Sequence, residues 1–386
     1  MNNYRFIESK LSRHFQTFKQ ALILLGARQV GKTTLLKRLY PDALYLLVDE
    51  KPIQEILETY SSANYKKIIK NHKQIFIDEL HLLSNPGRAA KIIYDQFSDV
   101  QIIITGSSSL HIKNKTSESM AGRAINYILH PLTFNEYLIQ QNISNEKVSI
   151  VKRMLAQDNS KSITLFDLQE VLSSVLKFGL YPDIINVSDN REYLLNLAEK
   201  AIFKDILELN LIENRSKALE LLQVLAYQIG NVINYAEISR KLGLSIPTVQ
   251  RYIDIFEQSF ILYRIKPFSK NKREEIGKSP KIFFWDIGLR NALVKNFEAI
   301  NIRGDSGALF ENFIISEVKK EIEYSELDYE VNYWRVKSGY EVDLVLSNKN
   351  ELNGLEIKLN NGVITKAFTN RYPEAKTLVI TQKSFY

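Results

Sequence analysis

Apolar residues are distributed along this chain in two patterns. Short continuous apolar runs occur in the first part of the chain, at residues 21–25, 43–49, 74–79 and 100–106. Runs of this length are typical of strands buried on both faces of a parallel sheet. Further along, at 163–176 and 193–211, apolar residues recur every three or four positions, as they do in helices. The pattern predicts an α/β N-terminal part and then a helical segment, with a turn at Phe178–Pro182.

Two more helices and a turn are predicted after this segment. Residues 235–242 have helical spacing, Gly243 supplies a turn, and Ser245 is an N-cap for a second helix at 246–256. This is the spacing of a helix-turn-helix motif. If the motif contacts DNA, the contacts are expected from the polar start of the second helix, namely Ser245, Thr248, Gln250 and Arg251.

A basic stretch follows these two helices. Residues 262–281 hold seven basic residues against two acidic ones. Such a stretch is suited to contact nucleic-acid phosphates as the wing of a winged helix-turn-helix module. A solvated charged face, or a module that binds a protein, is the alternative interpretation. The seven residues are Arg264, Lys266, Lys270, Lys272, Arg273, Lys278 and Lys281.

The first apolar run leads directly into a phosphate-binding motif. Residues 26–33 have the sequence G-A-R-Q-V-G-K-T between a predicted strand and a predicted helix, which is the context that this motif requires. Its glycines let backbone N–H groups and a helix N-terminus point at one anion. Lys32 is expected to reach the β- and γ-phosphates, and the Thr33 hydroxyl to ligate Mg²⁺. We predict that ATP is bound by Gly26, Ala27, Arg28, Gln29, Val30, Gly31, Lys32, Thr33 and Thr34.

Two acids at the end of the third apolar run complete the expected hydrolytic site. Asp78 and Glu79 end the run at 74–79, about forty-five residues after Lys32. Ligands of a doubly wound sheet lie at the carboxyl ends of its strands. Asp78 is therefore expected beside Thr33 as a second ligand of Mg²⁺, and Glu79 as the residue that polarises the attacking water.

Further polar residues near the predicted sheet are candidates for the same chemistry. Ser107 and Ser108 follow the run at 100–106, where a hydroxyl can sense the γ-phosphate; a serine-rich loop without a ligand is the alternative. Arg123 precedes a predicted strand at 124–129 and can stabilise charge during phosphoryl transfer, in its own subunit or in a neighbour. A surface arginine is the alternative interpretation of Arg123.

A second group of chemically suited residues lies near the end of the chain. Asp343 lies in a predicted strand at 340–346, and Glu356 and Lys358 alternate on one face of the next strand, at 354–358. Two carboxylates beside a lysine can hold Mg²⁺ through oxygen ligands, together with a water or a phosphate. A surface salt-bridge cluster is the structural alternative.

Composition narrows the class of protein further. A length of 386 residues predicts roughly two to four domains. The absence of cysteine excludes disulfides, thiolate catalysis and cysteine-based zinc sites. The net charge of +7 permits nucleic-acid binding without requiring it. No signal peptide or membrane-spanning segment is recognisable, so we expect a soluble cytoplasmic protein without a membrane partner.

The motifs taken together resemble those of a known family. The segments G-A-R-Q-V-G-K-T-T-L, I-F-I-D-E-L-H, I-T-G-S-S-S, A-G-R and H-P-L-T-F-N-E-Y resemble the AAA+ branch of P-loop ATPases. More specifically, they resemble prokaryotic members that carry a C-terminal domain of unknown function with a restriction-endonuclease-like fold. Asp343 followed by Glu356-Ile357-Lys358 resembles the PD-(D/E)XK nuclease core. That resemblance implies metal binding by Glu311, Asp343 and Glu356, and catalysis by Asp343, Glu356 and Lys358, although Val342 stands where the core commonly has proline.

The resemblance implies an α/β architecture of four parts. We expect a P-loop AAA+-like nucleotide domain at 1–140, a helical lid or connector at 141–215, a winged helix-turn-helix module at 216–295 and a nuclease-like α/β domain at 296–386. Residues 1 to about 20 are expected to form one basic amphipathic helix that packs on the nucleotide domain, with contact to the nucleobase as the alternative.

Two hypotheses compete for what ATP hydrolysis drives. In the first, the protein is a DNA-processing ATPase that docks DNA through the winged helix and cuts it at the C-terminal acids. In the second, it is a nucleotide-operated switch or oligomeric scaffold whose C-terminal domains bind a protein partner. The resemblance implies a homo-oligomer, with a ring as the expected form, because Arg123 would then reach a neighbouring subunit's nucleotide.

Overall fold

A computed structural model of the protein describes residues 4–106, 120–156, 165–208, 212–270 and 279–385. Five strands form the first sheet, in the order β2-β3-β4-β1-β5. All four strand pairs are parallel, and the side chains of β1 are buried on both faces. The continuous apolar runs of the sequence therefore form a doubly covered parallel sheet. Its strands are β1 (Ala21–Leu25), β2 (Leu44–Leu47), β3 (Gln74–Asp78), β4 (Gln101–Gly106) and β5 (Ala124–Ile128).

Helices connect and cover these strands. They are α1 (Glu8–Ser12), α2 (His14–Thr17), α3 (Lys32–Leu39), α4 (Lys51–Glu58), α5 (Ser62–Ile69) and α6 (Pro86–Gln96), with a 3-10 turn at Leu80–Leu82.

The N-terminal segment forms two short helices, and the prediction of a single helix over residues 1 to about 20 was wrong. Two tertiary contacts hold the chain on either side of the break at Arg13. The Tyr40 hydroxyl donates to the Leu11 carbonyl at 2.5 Å. The buried His14 ring lies 2.8 Å from both the Tyr127 hydroxyl and the Gln20 carbonyl. These contacts outweigh the periodicity that favours one continuous helix.

The middle of the chain is helical, as the pattern predicted. It contains α7 (Phe134–Gln140), α8 (Ile150–Ala156), α9 (Leu165–Phe178), α10 (Asn190–Glu208) and α11 (Arg215–Tyr227), with a 3-10 turn at Pro182–Ile185. Gly179 ends α9 with a φ of +74° in close packing against Asp286, so no side chain fits there.

The two helices around Gly243 are also present. They are α12 (Tyr235–Leu242) and α13 (Ile246–Gln258). Gly243 adopts a left-handed φ of 64°, and the Ser245 side chain accepts the N–H of Thr248 as the N-cap of α13. A β-hairpin of β6 (Leu262–Pro267) and β7 (Lys281–Phe284) follows, and then α14 (Ile287–Leu293) and a 3-10 turn at Ile300–Ile302.

A second sheet of six strands lies in the C-terminal part, in the order β11-β10-β9-β8-β6-β7. Strand β6 pairs with β8 in parallel through Lys266 and Asn332, so the hairpin belongs to the same sheet as the later strands. The expected domain boundary between residues 295 and 296 therefore separates β6 and β7 from the four later strands of the same sheet. The division into four domains stays a prediction. The remaining elements are α15 (Ser306–Ser325), β8 (Glu330–Arg335), β9 (Glu341–Ser347), β10 (Leu352–Ile357), α16 (Lys366–Arg371) and β11 (Lys376–Ile380).

Helix α15 joins the two halves of the molecule. Its 20 residues are largely buried, and one apolar core extends from the first sheet through this helix to the second sheet. Hydrogen bonds link its last turns to the segment that follows β5. Among the helices in the described parts of the chain, none is long and apolar enough to cross a membrane.

Candidate nucleotide site and C-terminal acidic cluster

The phosphate loop connects β1 to α3 and depends on its two glycines. A Cβ atom at Gly26 would lie 2.1 Å from the Leu129 carbonyl oxygen, and Gly31 has a φ of +90° immediately before α3. Because L-residues rarely adopt that φ, both positions favour glycine for physical reasons. The loop therefore curls at the carboxyl edge of the sheet, as the motif predicts.

Lys32 is a buried cation folded onto the loop. Its Nζ atom donates to the carbonyl oxygens of Gly26 and Ala27, each at 2.8 Å, and the side chain is buried. The partners in these two contacts are neutral carbonyl dipoles. An anionic phosphate is a stronger partner for it than a neutral carbonyl.

Asp78 lies at the centre of a hydrogen-bond network at the end of β3. Thr33 donates its hydroxyl to Asp78 Oδ2 at 2.9 Å, so the two predicted metal ligands are adjacent. Tyr45 donates to the same oxygen at 2.7 Å, and Thr105 donates to Oδ1. Burial raises the pKa of the Tyr45 hydroxyl, and the Asp78 carboxylate adds to the shift. Our reading of the sequence missed Tyr45 and Thr105, although each lies inside an apolar run that predicts a neighbouring strand.

Glu79 faces the same cavity as the phosphate loop. Its backbone is left-handed, with a φ of 58°, and its backbone N–H donates to Thr105 Oγ1 at 3.1 Å. Its carboxylate lies 3.1 Å from His81 Nδ1. A cavity of about 440 Å³ is lined by Glu79, His81, Lys32 and Thr33 among others. Glu79 is thus beside the space where a phosphate chain would lie.

The donors of this cavity fit a magnesium nucleotide. A threonine hydroxyl and an aspartate carboxylate are hard oxygen ligands, the type that Mg²⁺ prefers. Lys32 supplies the buried positive charge that complements a polyphosphate, and the start of α3 supplies backbone N–H groups. The residues of Gly26–Thr34, together with Asp78, therefore suit ATP and Mg²⁺ as predicted ligands.

The structure does not place Ser107, Ser108 or Arg123 at the phosphate loop. Ser107 and Ser108 lie outside the described residues. Arg123 lies at the amino edge of the sheet, because its carbonyl accepts the N–H of Ala21, the first residue of β1. The length of β1 places it about 15 Å from the phosphate loop, and its guanidinium pairs with Asp95 at 2.8 Å. The structure therefore does not bring Arg123 to the phosphate loop of its own subunit, and a role of Arg123 in hydrolysis stays a prediction.

The four predicted C-terminal residues lie together in one cluster. Lys358 Nζ lies 2.9 Å from Asp343 and 2.7 Å from Glu356. The backbone N–H of Ile357 also donates to Asp343, at 2.8 Å. Glu311 approaches from α15; burial raises its pKa, and the nearby charge of Asp343 adds to the shift.

Lys281 and Glu341 are members of this cluster that our reading of the sequence missed. Lys281 is buried, with its Nζ 3.1 Å from Glu311, in contact with Glu341 and 5.5 Å from the Tyr333 ring centroid. Burial raises the pKa of Glu311 to about 7, although Lys281 opposes the shift. Glu341 stands two residues before Asp343 on a strand, so the period of two could have indicated it.

The cluster as placed does not fit a metal ion. One oxygen of each of its four carboxylates is paired with the ammonium group of Lys281 or Lys358, while Glu356 Oε2 is buried without a hydrogen-bond partner among the described residues. Across the described segments, no three histidine or acidic side chains stand together in a way that could hold a cation. The metal-binding roles of Glu311, Asp343 and Glu356 therefore stay predictions, and no catalytic step follows from them.

Three of the four described basic residues in the stretch after α13 pair with acidic residues of the protein. Arg264 pairs with Asp254 and Glu257, and Lys270 pairs with Glu374. Lys281 is buried in the acidic cluster, whereas Lys266 is exposed. Lys272, Arg273 and Lys278 lie outside the described residues.

The polar start of α13 also makes internal contacts. The Ser245 and Thr248 hydroxyls lie 2.8 Å apart, and Arg251 pairs with Glu213 at 2.9 Å. A DNA-reading role for this helix stays a prediction.

Comparisons with known proteins agree with the geometry of the N-terminal part. Residues 18–138 match the model of a family described as an AAA domain. Residues 169–299 and 306–384 match two domains of unknown function, DUF8612 and DUF4143. The phosphate loop, Asp78 and Glu79 thus lie in the segment that matches the AAA domain, whereas the other two matched segments belong to domains of unknown function.

Individual relatives and structures are distant. An uncharacterized protein of Methanocaldococcus jannaschii is 27% identical over 321 residues, a match that covers 75% of this chain and 66% of the relative. One from Haemophilus influenzae is 21% identical, covering 86% of this chain and 80% of the relative. The Walker-type ATPase PABY2304 of Pyrococcus abyssi aligns with a TM-score of 0.47 and 16% identity, covering 75% of this chain and 94% of that one.

These observations define the class of the N-terminal part. The parallel sheet, the phosphate loop and the match to the AAA domain agree that residues 18–138 fit a P-loop ATPase domain.

Proposed function

We propose that this protein binds ATP with Mg²⁺ at the phosphate loop and hydrolyses it. The observation that carries the proposal is the convergence of Lys32, Thr33 and Asp78 at one edge of the parallel sheet, with Thr33 2.9 Å from Asp78. Bound Mg²⁺ would supply charge neutralisation at the β- and γ-phosphates.

The residues of the chain have distinct roles in this proposal. Lys32 leaves the carbonyls of Gly26 and Ala27 and neutralises phosphate oxygens. Thr33 and Asp78 hold the cation, and the hydroxyls of Tyr45 and Thr105 keep the Asp78 carboxylate in place. Glu79 accepts a hydrogen bond from the attacking water and orients it toward the γ-phosphorus.

Three variants test the ATPase assignment. Lys32→Ala is expected to abolish binding of a fluorescent ATP analogue, because the variant lacks the cation that neutralises the phosphates. Glu79→Gln is expected to keep binding and to lower phosphate release by about 10²- to 10⁴-fold. Lys91→Ala removes an exposed lysine of α6 in the same domain and serves as the matched control. Turnover at the wild-type rate in both Lys32→Ala and Glu79→Gln would overturn the assignment.

We further propose that ATP hydrolysis switches the conformation of the C-terminal half, which binds a protein partner, and that it does not drive DNA cleavage. The specific support is α15, which carries Glu311 into the acidic cluster and whose other end hydrogen-bonds the segment after β5. The engagement of the cluster's carboxylates by two lysines favours the same interpretation.

DNA is the partner that discriminates between the two hypotheses. The switch proposal expects duplex DNA to leave the ATPase rate unchanged, and plasmid incubated with Mn²⁺ or Mg²⁺ to stay supercoiled. Nicking that Asp343→Ala removes would overturn the switch proposal and support the nuclease hypothesis. Stimulation of the ATPase by DNA without nicking would support a DNA-docking role instead.

A further inference from the structure

Arg5 is a buried cation behind the phosphate loop. It is 4% exposed, and its guanidinium donates to two backbone carbonyls that are far apart in sequence. Nη1 lies 2.8 Å from the Val30 carbonyl oxygen, in the phosphate loop itself. Nη2 lies 2.5 Å from the His130 carbonyl oxygen, just after β5. The Arg5 side chain thus connects the phosphate loop to the residues that follow β5.

A buried carboxylate holds Arg5 in place. Glu136 is fully buried, and its Oε2 lies 3.3 Å from Arg5 Nε. Glu136 also accepts the backbone N–H groups of Phe6 at 2.6 Å and Thr133 at 2.8 Å. Because these contacts fix Glu136, the direction of the guanidinium is fixed as well.

The His130 end of this connection is anchored from the other side by α15. The His130 N–H donates to the Tyr324 hydroxyl at 2.8 Å. Lys320 donates to the Leu132 carbonyl at 2.9 Å, and Glu317 accepts the Phe134 N–H at 2.6 Å. Arg5 therefore connects the phosphate loop to a segment that is itself hydrogen-bonded to α15.

The Val30 carbonyl matters because of its place in the loop. A loop that binds an anion must point its N–H groups inward and its carbonyl oxygens away. Val30 is followed directly by Gly31 and Lys32, so the direction of its carbonyl sets the direction of the next N–H group. A charge-assisted hydrogen bond from behind holds this peptide in the orientation that an anion requires.

We propose that Arg5 is a positioning residue for the phosphate loop, which keeps the Val30–Gly31 peptide oriented for phosphate binding. This inference rests on the proposed binding of ATP. It makes the N-terminal segment a part of the nucleotide site, although that segment lies outside the loop motif and the matched AAA domain.

Nucleotide titration of Arg5 variants tests this role. Arg5→Ala is expected to weaken the Kd for a fluorescent ATP analogue by about 10- to 100-fold, because a charged hydrogen bond and the loop orientation are lost together. Arg5→Lys keeps the charge but lacks the planar fork that reaches two carbonyls, so an intermediate loss is expected. Arg5→Lys also provides the measurement if Arg5→Ala does not fold.

The control is Arg38→Ala. Arg38 pairs with Glu8 in α1 at 2.7 Å, so its loss loosens the same N-terminal segment without touching the Val30 carbonyl. Its Kd is expected to stay within about twofold of the wild type. Ethylguanidinium added to Arg5→Ala is expected to restore part of the affinity, which a general loss of stability would not allow.

The outcomes separate this inference from the proposed function. If the wild type binds the nucleotide and Arg5→Ala binds it within twofold, the positioning role is overturned and the ATPase proposal stands. If Arg38→Ala loses as much affinity as Arg5→Ala, attachment of the whole segment is the cause, and the role of Arg5 is again overturned. If the wild type itself does not bind ATP, the proposed function fails and the inference fails with it.

Discussion

Replacing Lys281 by methionine removes the buried cation of the C-terminal acidic cluster without leaving a large cavity. Lys281 is 2% exposed and contacts Glu311 and Glu341. In the variant these carboxylates keep their burial and their mutual repulsion, and Asp343 adds to it. The apolar methionine cannot offset their charge.

The structure sets the size of the expected loss. Removing one partner of a buried ion pair costs about 3–5 kcal/mol, because an uncompensated charge stays in a poorly solvated place. The carboxylates can escape part of this cost by taking up protons. Burial already raises the pKa of Glu311 to about 7, and loss of Lys281 would raise it further. The full cost is therefore expected at pH 8, and a smaller one at pH 5.5, where Glu311 is protonated in the folded protein.

Urea unfolding followed by tryptophan fluorescence measures this loss where it occurs. The chain has two tryptophans, Trp285 directly after β7 and Trp334 in β8; both are buried, and Trp334 is paired with Val342, next to Glu341 and Asp343. The experiment includes EDTA, so that no divalent cation replaces the lost ammonium. Lys270→Met is the control, since Lys270 pairs with Glu374 at the protein surface.

Two results would refute this reasoning. One is an unfolding midpoint for Lys281→Met at pH 8 that equals that of Lys270→Met. The other is a loss of stability that is the same at pH 8 and pH 5.5, which would show that packing, and not charge, is the cause.

Three further predictions follow from other parts of the molecule. Gly288→Ala is expected to destabilise the fold by more than about 2 kcal/mol, because its Cβ would lie 2.0 Å from a backbone carbonyl oxygen. Gly307→Ala, in the open first turn of α15, is expected to leave the stability unchanged or to raise it. Thermal unfolding of the two variants tests this difference. Burial lowers the pKa of His130 despite its contact with Glu323, so its neutral form stabilises the fold above pH 6.5 and this contribution is lost as the pH falls below that value. The stability difference between the wild type and His130→Gln should therefore shrink from pH 7.5 to 5.5, and a constant difference would contradict the assignment. If Arg123 acts on a neighbouring subunit, a mixture of Arg123→Ala and Lys32→Ala chains should hydrolyse ATP faster than either variant alone; a mixture no faster than its parts would exclude that arrangement.

The local parts of the candidate nucleotide site could be predicted from sequence. The phosphate loop is a contiguous motif, and its glycines are explained by backbone geometry at Gly26 and Gly31. The adjacency of Thr33 and Asp78 was also predictable, because parallel strands end at the same edge of a sheet. The helices of the middle segment and the turn at Gly243 follow from periodicity and capping residues in the same way.

Contacts between distant segments were not predictable in this way. Nothing in the residues near Tyr45, Thr105 or Arg5 indicates that they meet Asp78 or Val30, because such contacts depend on strand order and on side-chain packing. Arg123 shows the same limit. Its place before a strand was evident, but the parallel pairing of β1 and β5 put it at the far edge of the sheet.

The sequence by itself thus determined a phosphate-binding loop with two acids in a parallel sheet, and a set of acids and a lysine near the C-terminus. Only the tertiary structure joined the hairpin of β6 and β7 to the last sheet and buried Lys281 among those acids. The physical reason is the range of the interactions. Capping, turns and periodicity act over a few residues, whereas the partner of a buried charge is chosen by packing across the whole chain.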